Sequence, residues 1–453
     1  GNGSRFDAYF YQPRPIPTEP ETVSVPVAIY YSADHDHPRT ILSFDLGSEG
    51  RINQKGTVYI DDVSLTKTES PAAFSTAVSS AAMRGALLEG IRKTEDRGSD
   101  ERRFESLTET DITAYHLAAT RRIDINDDTL TEAGYAVSDF DLSGIDLSYF
   151  GGIERISTDD VKVTNGDFER IGELTQLRAV AIGNTKTNDQ DAAGATDPSP
   201  LASLHRLYEL SLYENPMSVG AITGVATPAN FPDLESLQLG FARSPDYPVS
   251  DAQRQEIVDT LVSFGNADHL FGEIAFNNVG LTDTDFLAVY NGLLTESADS
   301  LRSMALEEWR DDDAGELTSE VLDEIGTLTN LDYLSIYGHD LTTLDGLEDL
   351  TNLRELEVES NRELTDFVAI ASLIGLEDLN IGRTGFDDEV ADYEAIQQLP
   401  NLRGLDIGGT PTLDVEGENG SVAGTELDEL IQFLEDEETT IDDTLEYLDL
   451  GSY

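Results

Sequence analysis

One apolar spacing recurs through most of this chain and leaves it few ways to fold. Leu331-x-x-Leu334-x-Ile336 is followed by Leu353-x-x-Leu356-x-Val358-x-x-Asn361, then by Leu376-x-x-Leu379-x-Ile381 and Leu402-x-x-Leu405-x-Ile407. The four starts lie 22, 23 and 26 residues apart. The same frame fits Leu177/Val180/Ile182, Leu207/Leu210/Leu212, Leu234/Leu237/Leu239, Phe271/Ile274/Phe276, Leu301/Met304/Leu306 and Leu445/Leu448/Leu450. Weaker copies are read at Thr120/Ile123/Ile125, Val137/Phe140/Leu142 and Thr158/Val161/Val163, for about thirteen units in all. In each unit the second and third apolar residues alternate as in a short strand with one buried face, and the first turns the chain into that strand. A single unit cannot bury its own stripe, so stability must come from its neighbours.

The expected architecture is therefore an α/β leucine-rich-repeat solenoid, with a parallel concave sheet and a helical or irregular convex side. The stretch Leu341-Thr-Thr-Leu344-Asp-Gly-Leu347-Glu-Asp-Leu350-Thr-Asn-Leu353 resembles the repeat of bacterial internalin-type proteins, and Val137 to Ile153 resembles it too. The resemblance covers roughly residues 70–453. It implies inward-turning leucines on the convex side and a recognition role for the concave face. The chain departs from that family where units lengthen by inserts that read as helices, at Asp251–Phe264, Thr282–Leu294, Thr318–Leu328 and Leu427–Leu434. Asparagine stands at the turn after the strand only at Asn215 and Asn361, with Thr185, Thr384 and Thr410 elsewhere, so a regular asparagine ladder is not expected.

Three segments are expected: a module over 1–68, a helical cap over 69–118 and the repeats over 119–453. In the cap, Ser70-Pro71 reads as a helix start, and Phe74, Val78, Ala81, Ala82, Leu88 and Ile91 follow a helical period. Residues 84–122 balance eight basic groups against eight acidic ones, which suits either a cap with local ion pairs or a docking surface for an acidic neighbour. The first segment reads as all-β and sandwich-like. Its Ile41–Gly47 and Gly56-Thr-Val-Tyr-Ile-Asp-Asp-Val-Ser-Leu65 resemble the last two strands of family 4/9-type carbohydrate-binding jelly rolls. That resemblance implies a structural calcium site at Asp61 and leaves sugar binding or a spacer role open.

Charge restricts the partners. The chain carries 28 Lys+Arg against 89 Asp+Glu, a net charge of -61, and only five of the cations are lysine. The acids are interleaved with core-forming residues, so this is not a disordered acidic tail. Such like charge opposes compaction at low ionic strength, whereas at ~1 M salt the Debye length is about 3 Å. The simplest reading is a protein adapted to brine, from a halophilic archaeon. Nucleic acid is an unfavourable partner because phosphate binding needs clustered cations. There is no cysteine, hence no disulfide or thiol chemistry. No apolar run reaches the ~20 residues of a membrane span. The chain begins Gly-Asn-Gly-Ser and ends within a strand-like segment, as a piece of a longer protein would.

Residues flanking the strand leucines are expected to line the concave face as a polar-aromatic patch: Tyr213, Tyr333, Ser335, Tyr337, Glu355, Glu357, Glu359, Asp378, Asn380, Asp406 and Tyr447. Tyrosines beside carboxylates suit a sugar ring or a protein surface, and the competing reading is a solvated acidic surface without a ligand. Catalysis has thin support. His35, His37, His116, His205, His269 and His339 sit in no nucleophile or zinc spacing, and Asp311–Asp313 lacks the spacing of a calcium loop. Neither a catalytic residue nor a cofactor other than calcium is expected. The leading expectation is a non-catalytic recognition or adhesion protein, extracellular or on a cell surface, binding a protein or glycan. Alternatives are a self-assembling subunit of a surface layer, filament or sheath, a non-catalytic part of a polysaccharide-degrading enzyme, and a scaffold in an equally salty cytoplasm.

Overall fold

The computed structural model describes residues 74–93, 108, 109, 112, 117, 120–183, 195–241, 244–309, 317–386, 390–410 and 445–449. The chain divides into two units, 1–69 and 70–453. The first unit lies outside the described residues. With it lie the jelly-roll-like strands, Asp61, and His35 and His37. Asp311–Asp313 and the expected helix at Leu427–Leu434 also lie outside them.

The second unit is a leucine-rich-repeat solenoid. Its strands are β1 (Arg122–Asn126), β2 (Arg155–Asp159), β3 (Ala179–Gly183), β4 (Glu209–Tyr213), β5 (Ser236–Gly240) and β6 (Glu273–Asn277). They continue as β7 (Ser303–Glu307), β8 (Tyr333–Tyr337), β9 (Glu355–Glu357), β10 (Asp378–Asn380), β11 (Gly404–Asp406) and β12 (Tyr447–Asp449). All twelve form one sheet in chain order, and each pairs in parallel with the next. The register matches frame to frame: Leu334 lies opposite Met304 and Leu356, and Leu379 lies between Leu356 and Leu405. Every unit thus presents the same face to its neighbours, and the strand leucines form one continuous buried stack.

Two of the weaker sequence copies are corrected. Val137, Phe140 and Leu142 fall on tight 3₁₀ turns, Val137–Asp139 and Leu142–Gly144, and form no strand. The second strand uses Ile153, Ile156 and Thr158, with Ile156 opposite Ile123 and Val180, so the frame read at Thr158/Val161/Val163 starts one strand-turn too late. Among the described residues the sheet has twelve strands. β-branched residues permit several registers in this part of the sequence, and burial against the neighbouring rungs selects one.

The convex side follows from leucine spacing. Leu344, Leu347, Leu350 and Leu353 are fully buried, and each backbone N–H after the first bonds the carbonyl three residues before it, at 3.2, 3.0 and 3.0 Å. A three-residue pitch eclipses every third side chain, so one apolar edge turns inward without a full helix. Longer inserts become helices: Asp251–Gly265; Asp283–Val289 continued as a π-turn over Tyr290–Leu294; and Ser319–Val321 leading into Leu322–Gly326.

Leaving each strand requires an abrupt turn. The residue two places after the third apolar position has a left-handed backbone at Asp160, Glu214, Asn278, Gly338, Ser360, Arg383 and Gly409. Only two of these are glycine, so stacking holds ordinary residues where they would not settle alone. At Gly338 a Cβ would lie 2.0 Å from the Glu308 carbonyl oxygen, so this turn has no room for a side chain.

Among the described residues of the cap, Phe74–Ala77 and Ala81–Lys93 form two separate helices where the apolar period suggested one. The break has a cause in sequence: Ser79-Ser80 favours local hydrogen bonds over helix. Val78 forms an antiparallel bridge with Ile145, the Ser79 N–H donates to the Gly144 carbonyl at 2.7 Å, and Ser80 Oγ accepts from the Met83 N–H at 3.3 Å. The interrupted cap thereby closes the first turn of the solenoid over Phe74, Ala77, Val78 and Met83, all buried.

Candidate functional site

The strand positions on either side of the buried leucines face outward from the sheet, giving three rows that run from β1 to β12. Their chemistry changes along the solenoid. At the β1–β4 end opposite charges are paired: Arg155 with Glu209, and Arg122, whose Nε lies 3.2 Å from Asp124 Oδ2. The centre is small and smooth, with Ala179, Ala181 and Gly183 on β3, Gly240 on β5, Ala275 on β6 and Ala305 on β7. Tyr213 lies flat here. A Cβ on Gly183 would meet its ring at 2.0 Å, and its hydroxyl donates to Asp159 Oδ1 at 2.8 Å. Burial, with Asp159 beside it, pushes the Tyr213 phenol above its usual range.

Aromatic and acidic groups gather on β7–β9. Trp309 is 59% exposed, and its ring centroid lies 6.3 Å from that of Tyr337 at an interplanar angle of 52°. Its indole Nε1–H donates to Glu307 Oε2 at 2.8 Å. Glu307 also accepts from Asn277 Nδ2 at 2.6 Å and from Ser335 Oγ at 3.1 Å. Burial pushes the Glu307 carboxyl above its ordinary value, while the hydrogen bonds from Trp309 and Ser335 pull it back. On the next rung Tyr333 donates its hydroxyl to Glu357 Oε2 at 2.8 Å. The Tyr333 phenol is raised by burial first and by Glu357 next.

Acidic residues continue along β9–β12. Glu355 pairs across the sheet with Tyr333 on one side and Asp378 on the other. Its carboxyl is raised by burial and then by the repulsion of Glu357 and Asp378, as like charges on adjacent strands require. Glu359 accepts from Asn380 Nδ2 at 3.1 Å and lies 3.8 Å from Arg383 Nε. Asp406 is raised by burial, with Asp449 and Glu359 adding to it. Tyr447, 59% exposed, donates its hydroxyl to Asp449 Oδ2 at 2.8 Å.

The expected patch is thus gathered from β8 to β12, with Tyr213 set apart on β4 over the smooth centre. Ser335 is corrected as a contact residue. It is fully buried, pairs across the sheet with Ala305 and Glu357, and donates its hydroxyl to Glu307. Glu307, Trp309 and Asn277 were missed in the sequence reading. The first was within reach of it, because the frame that starts at Leu301 makes Glu307 an outward position, and the only tryptophan of the chain follows two residues later.

Two solved internalins resemble the chain. The internalin InlF of Listeria monocytogenes is 18% identical, covers 86% of this chain and 100% of its own, and superposes with a TM-score of 0.39. Internalin C2 of the same organism is 17% identical, covers 75% of this chain and 97% of its own, with a TM-score of 0.27. No family model and no curated protein matches the chain. The solenoid assignment therefore rests on strand order and register.

The turn after each strand forms a second set of polar groups, now inside. Asn215 Nδ2 donates to the Ile182 carbonyl of the preceding rung at 2.6 Å, and Asn361 Nδ2 does the same to Ile336 at 2.7 Å. Thr384 and Thr410 fill the equivalent place but donate to the Ile381 and Ile407 carbonyls of their own units, at 2.7 and 2.9 Å. His339 also fills it, buried, with neither ring nitrogen in a hydrogen bond of good geometry.

One flank of the sheet, the residue after each leading leucine, alternates in sign: Arg302, Asp332, Arg354, Glu377, Arg403, Glu446. Glu377 lies 2.6 Å from Arg354 Nη1 and 3.9 Å from Arg403 Nη1. Several of the scarce arginines are thereby committed to this flank and lie off the aromatic patch. Among the described residues no helix is long and apolar enough to cross a membrane, and no group of three or more His, Cys, Asp or Glu is placed to hold a metal ion.

Proposed function

We propose that this chain is a non-catalytic recognition protein whose concave face, centred on β7–β9, binds the surface of another protein. The observation that carries the reading is Trp309, 59% exposed on the concave side yet tied through its indole N–H to Glu307. An exposed tryptophan would be free to turn edge-on to solvent or fold down. Here Glu307, itself bonded by Asn277 and Ser335, accepts from the indole N–H beside Tyr337. Rigid aromatics that lose little entropy on binding are the side chains that dominate protein interfaces. The twelve-strand sheet supplies a stiff platform for them, since each rung is hydrogen-bonded to the next. The acid surplus is read as adaptation to concentrated salt, and the setting as the cell surface or the extracellular space of a halophile. Protein is favoured over glycan because the site is an exposed aromatic pair on an open sheet, the kind of anchor that protein interfaces use.

The test is a peptide-display selection on the full chain in molar KCl, followed by re-binding to two variants. Trp309→Ala/Tyr337→Ala removes the concave aromatics. Val368→Ser/Ile374→Ser removes two exposed apolar side chains from the far end of the repeat, 52% and 54% exposed. Selected peptides should lose at least about tenfold in affinity on the first variant and keep it on the second. The reverse pattern, or selection of sugars in place of peptides on a parallel glycan array, would overturn the reading.

A further inference from the structure

The chemistry around Trp309 is specific enough to name what kind of group it receives. Glu307 and Glu357 stand on the rungs either side of β8, one opposite Tyr337 and the other opposite Ser335. Adjacent strands are ~4.8 Å apart, so the two carboxylates bracket a strip about two strand spacings wide. Among the described residues neither has an ion-pair partner. Every group that bonds them is a neutral donor: Asn277, Trp309 and Ser335 on Glu307, and Tyr333 on Glu357. Just beyond β9, Glu359 lies 3.8 Å from Arg383 Nε.

A second observation points the same way and is independent of the carboxylates. Asn277 is 97% buried, being 3% exposed, and sits at the outward position of β6 beside Glu307. Its amide nitrogen is used on Glu307, but its Oδ1 has no hydrogen-bond partner. Among the described residues, then, the two carboxylates have no cationic partner, and the Asn277 carbonyl oxygen beside them is an unused acceptor. Above it lie two aromatic faces, Trp309 and Tyr337, tilted toward each other at 52°. Indole is the best aromatic surface for a cation, and the benefit grows when the cation is partly desolvated.

Resting on the reading of the concave face as a protein-binding surface, we propose that its partner seats an arginine side chain here, the guanidinium stacked on Trp309 and Tyr337 with its N–H groups toward Glu307 and Glu357. Arginine suits this better than lysine for reasons of shape. The guanidinium is planar, so it stacks on a ring. It carries five donors in a fork that can reach two carboxylates, and it is more weakly hydrated than an ammonium ion. Weak hydration matters because at high salt the long-range attraction of so acidic a surface is screened, and only short-range contacts discriminate between partners. The rest of the chain fits such a partner: with a net charge of -61, it meets basic surfaces more readily than acidic ones.

The sole tryptophan of the chain makes the test direct, because its emission reports this position alone. The full chain in molar KCl is titrated with four short peptides, acetyl-Gly-Xaa-Gly-amide, where Xaa is arginine, lysine, citrulline or glutamate. Citrulline keeps the shape of arginine without its charge. The arginine peptide should change Trp309 emission saturably. Lysine should bind several-fold more weakly, and citrulline and glutamate about tenfold more weakly or not at all. Glu357→Gln, which leaves the bonds of Glu307 intact, should weaken the arginine peptide by about fivefold or more. Glu307→Gln should do the same with an unchanged far-UV spectrum. Equal binding of citrulline and arginine, preference for lysine, or no saturable change would overturn the proposal. The two readings fail separately. Display peptides that require Trp309 but carry no arginine would sink this inference and leave the concave face standing; peptides indifferent to Trp309 would sink both.

Discussion

His339→Asn is expected to make the solenoid markedly less sensitive to acid. His339 stands where Asn361 and Asn215 stand in their own units, and it is 3% exposed. Burial holds its imidazole at about 4, against an ordinary value of 6.5, with the Leu306 carbonyl and Asp283 pulling weakly the other way. A histidine depressed in this way favours the fold only while neutral. The unfolded chain binds the proton as pH falls below 6.5, and the folded chain refuses it until about 4. Stability is therefore fully present above the unfolded value and is lost across that window as pH falls. Linkage over the interval from about pH 7 to about pH 5 gives a loss of about 2 kcal/mol, rising to roughly 3 kcal/mol at still lower pH. Asparagine does not titrate there and can donate to the Leu306 carbonyl as Asn361 does to Ile336. The assay is urea unfolding of both proteins in molar KCl at the two pH values, followed by circular dichroism. The difference between the proteins cancels the carboxylates common to both, and it should widen by about 2 kcal/mol in favour of the variant at the lower pH. A gap that stays constant, or that narrows, would refute the reasoning.

Other outcomes follow from the same architecture. Asn361→Ala removes bonds to the Ile336 and Val358 carbonyls and from the Leu341 N–H, and should cost about 3 kcal/mol in the same unfolding assay. Leu356→Ala, at a site with no exposure, should cost about 2–5 kcal/mol, and a loss below about 1 kcal/mol would place Leu356 outside the core. Dialysis to about 0.01 M salt, where the Debye length is ~30 Å, should loosen or unfold a chain of net charge -61, and an unchanged circular dichroism spectrum would count against adaptation to brine.

Much of this fold was legible because leucine marks the frame so regularly from Leu177 onward, where spacing alone fixed each strand. It was less legible before that point. Ile153, Ile156, Thr158, Val161 and Val163 are all β-branched, and alternation among them admits two frames that only the neighbouring rungs separate. The cap break at Ser79-Ser80 was written in the sequence as two poor helix formers, but the apolar period running through it concealed the break. At the site, the outward positions of β8 and β9 were readable from parity. What parity could not give was depth: Ser335 shares its row with Glu357 yet is fully buried, flanked on its own strand by Tyr333 and Tyr337 and bonded to Glu307. Nor could it give Trp309, which lies beyond the end of β7 and is held at the face by its bond to Glu307 and its place beside Tyr337.

The recognition face exists only if successive strands are successive rungs, and distances between spin labels measure that directly in a chain without native cysteine. Ser236 and Asp378 stand on β5 and β10, and Arg122 and Ser236 on β1 and β5, all in one row. At ~4.8 Å per rung, cysteine pairs labelled at these positions should lie ~24 Å and ~19 Å apart, in proportion to five and four rungs. Distances that do not scale with rung number, or that exceed about twice these values, would contradict the solenoid and with it the recognition face.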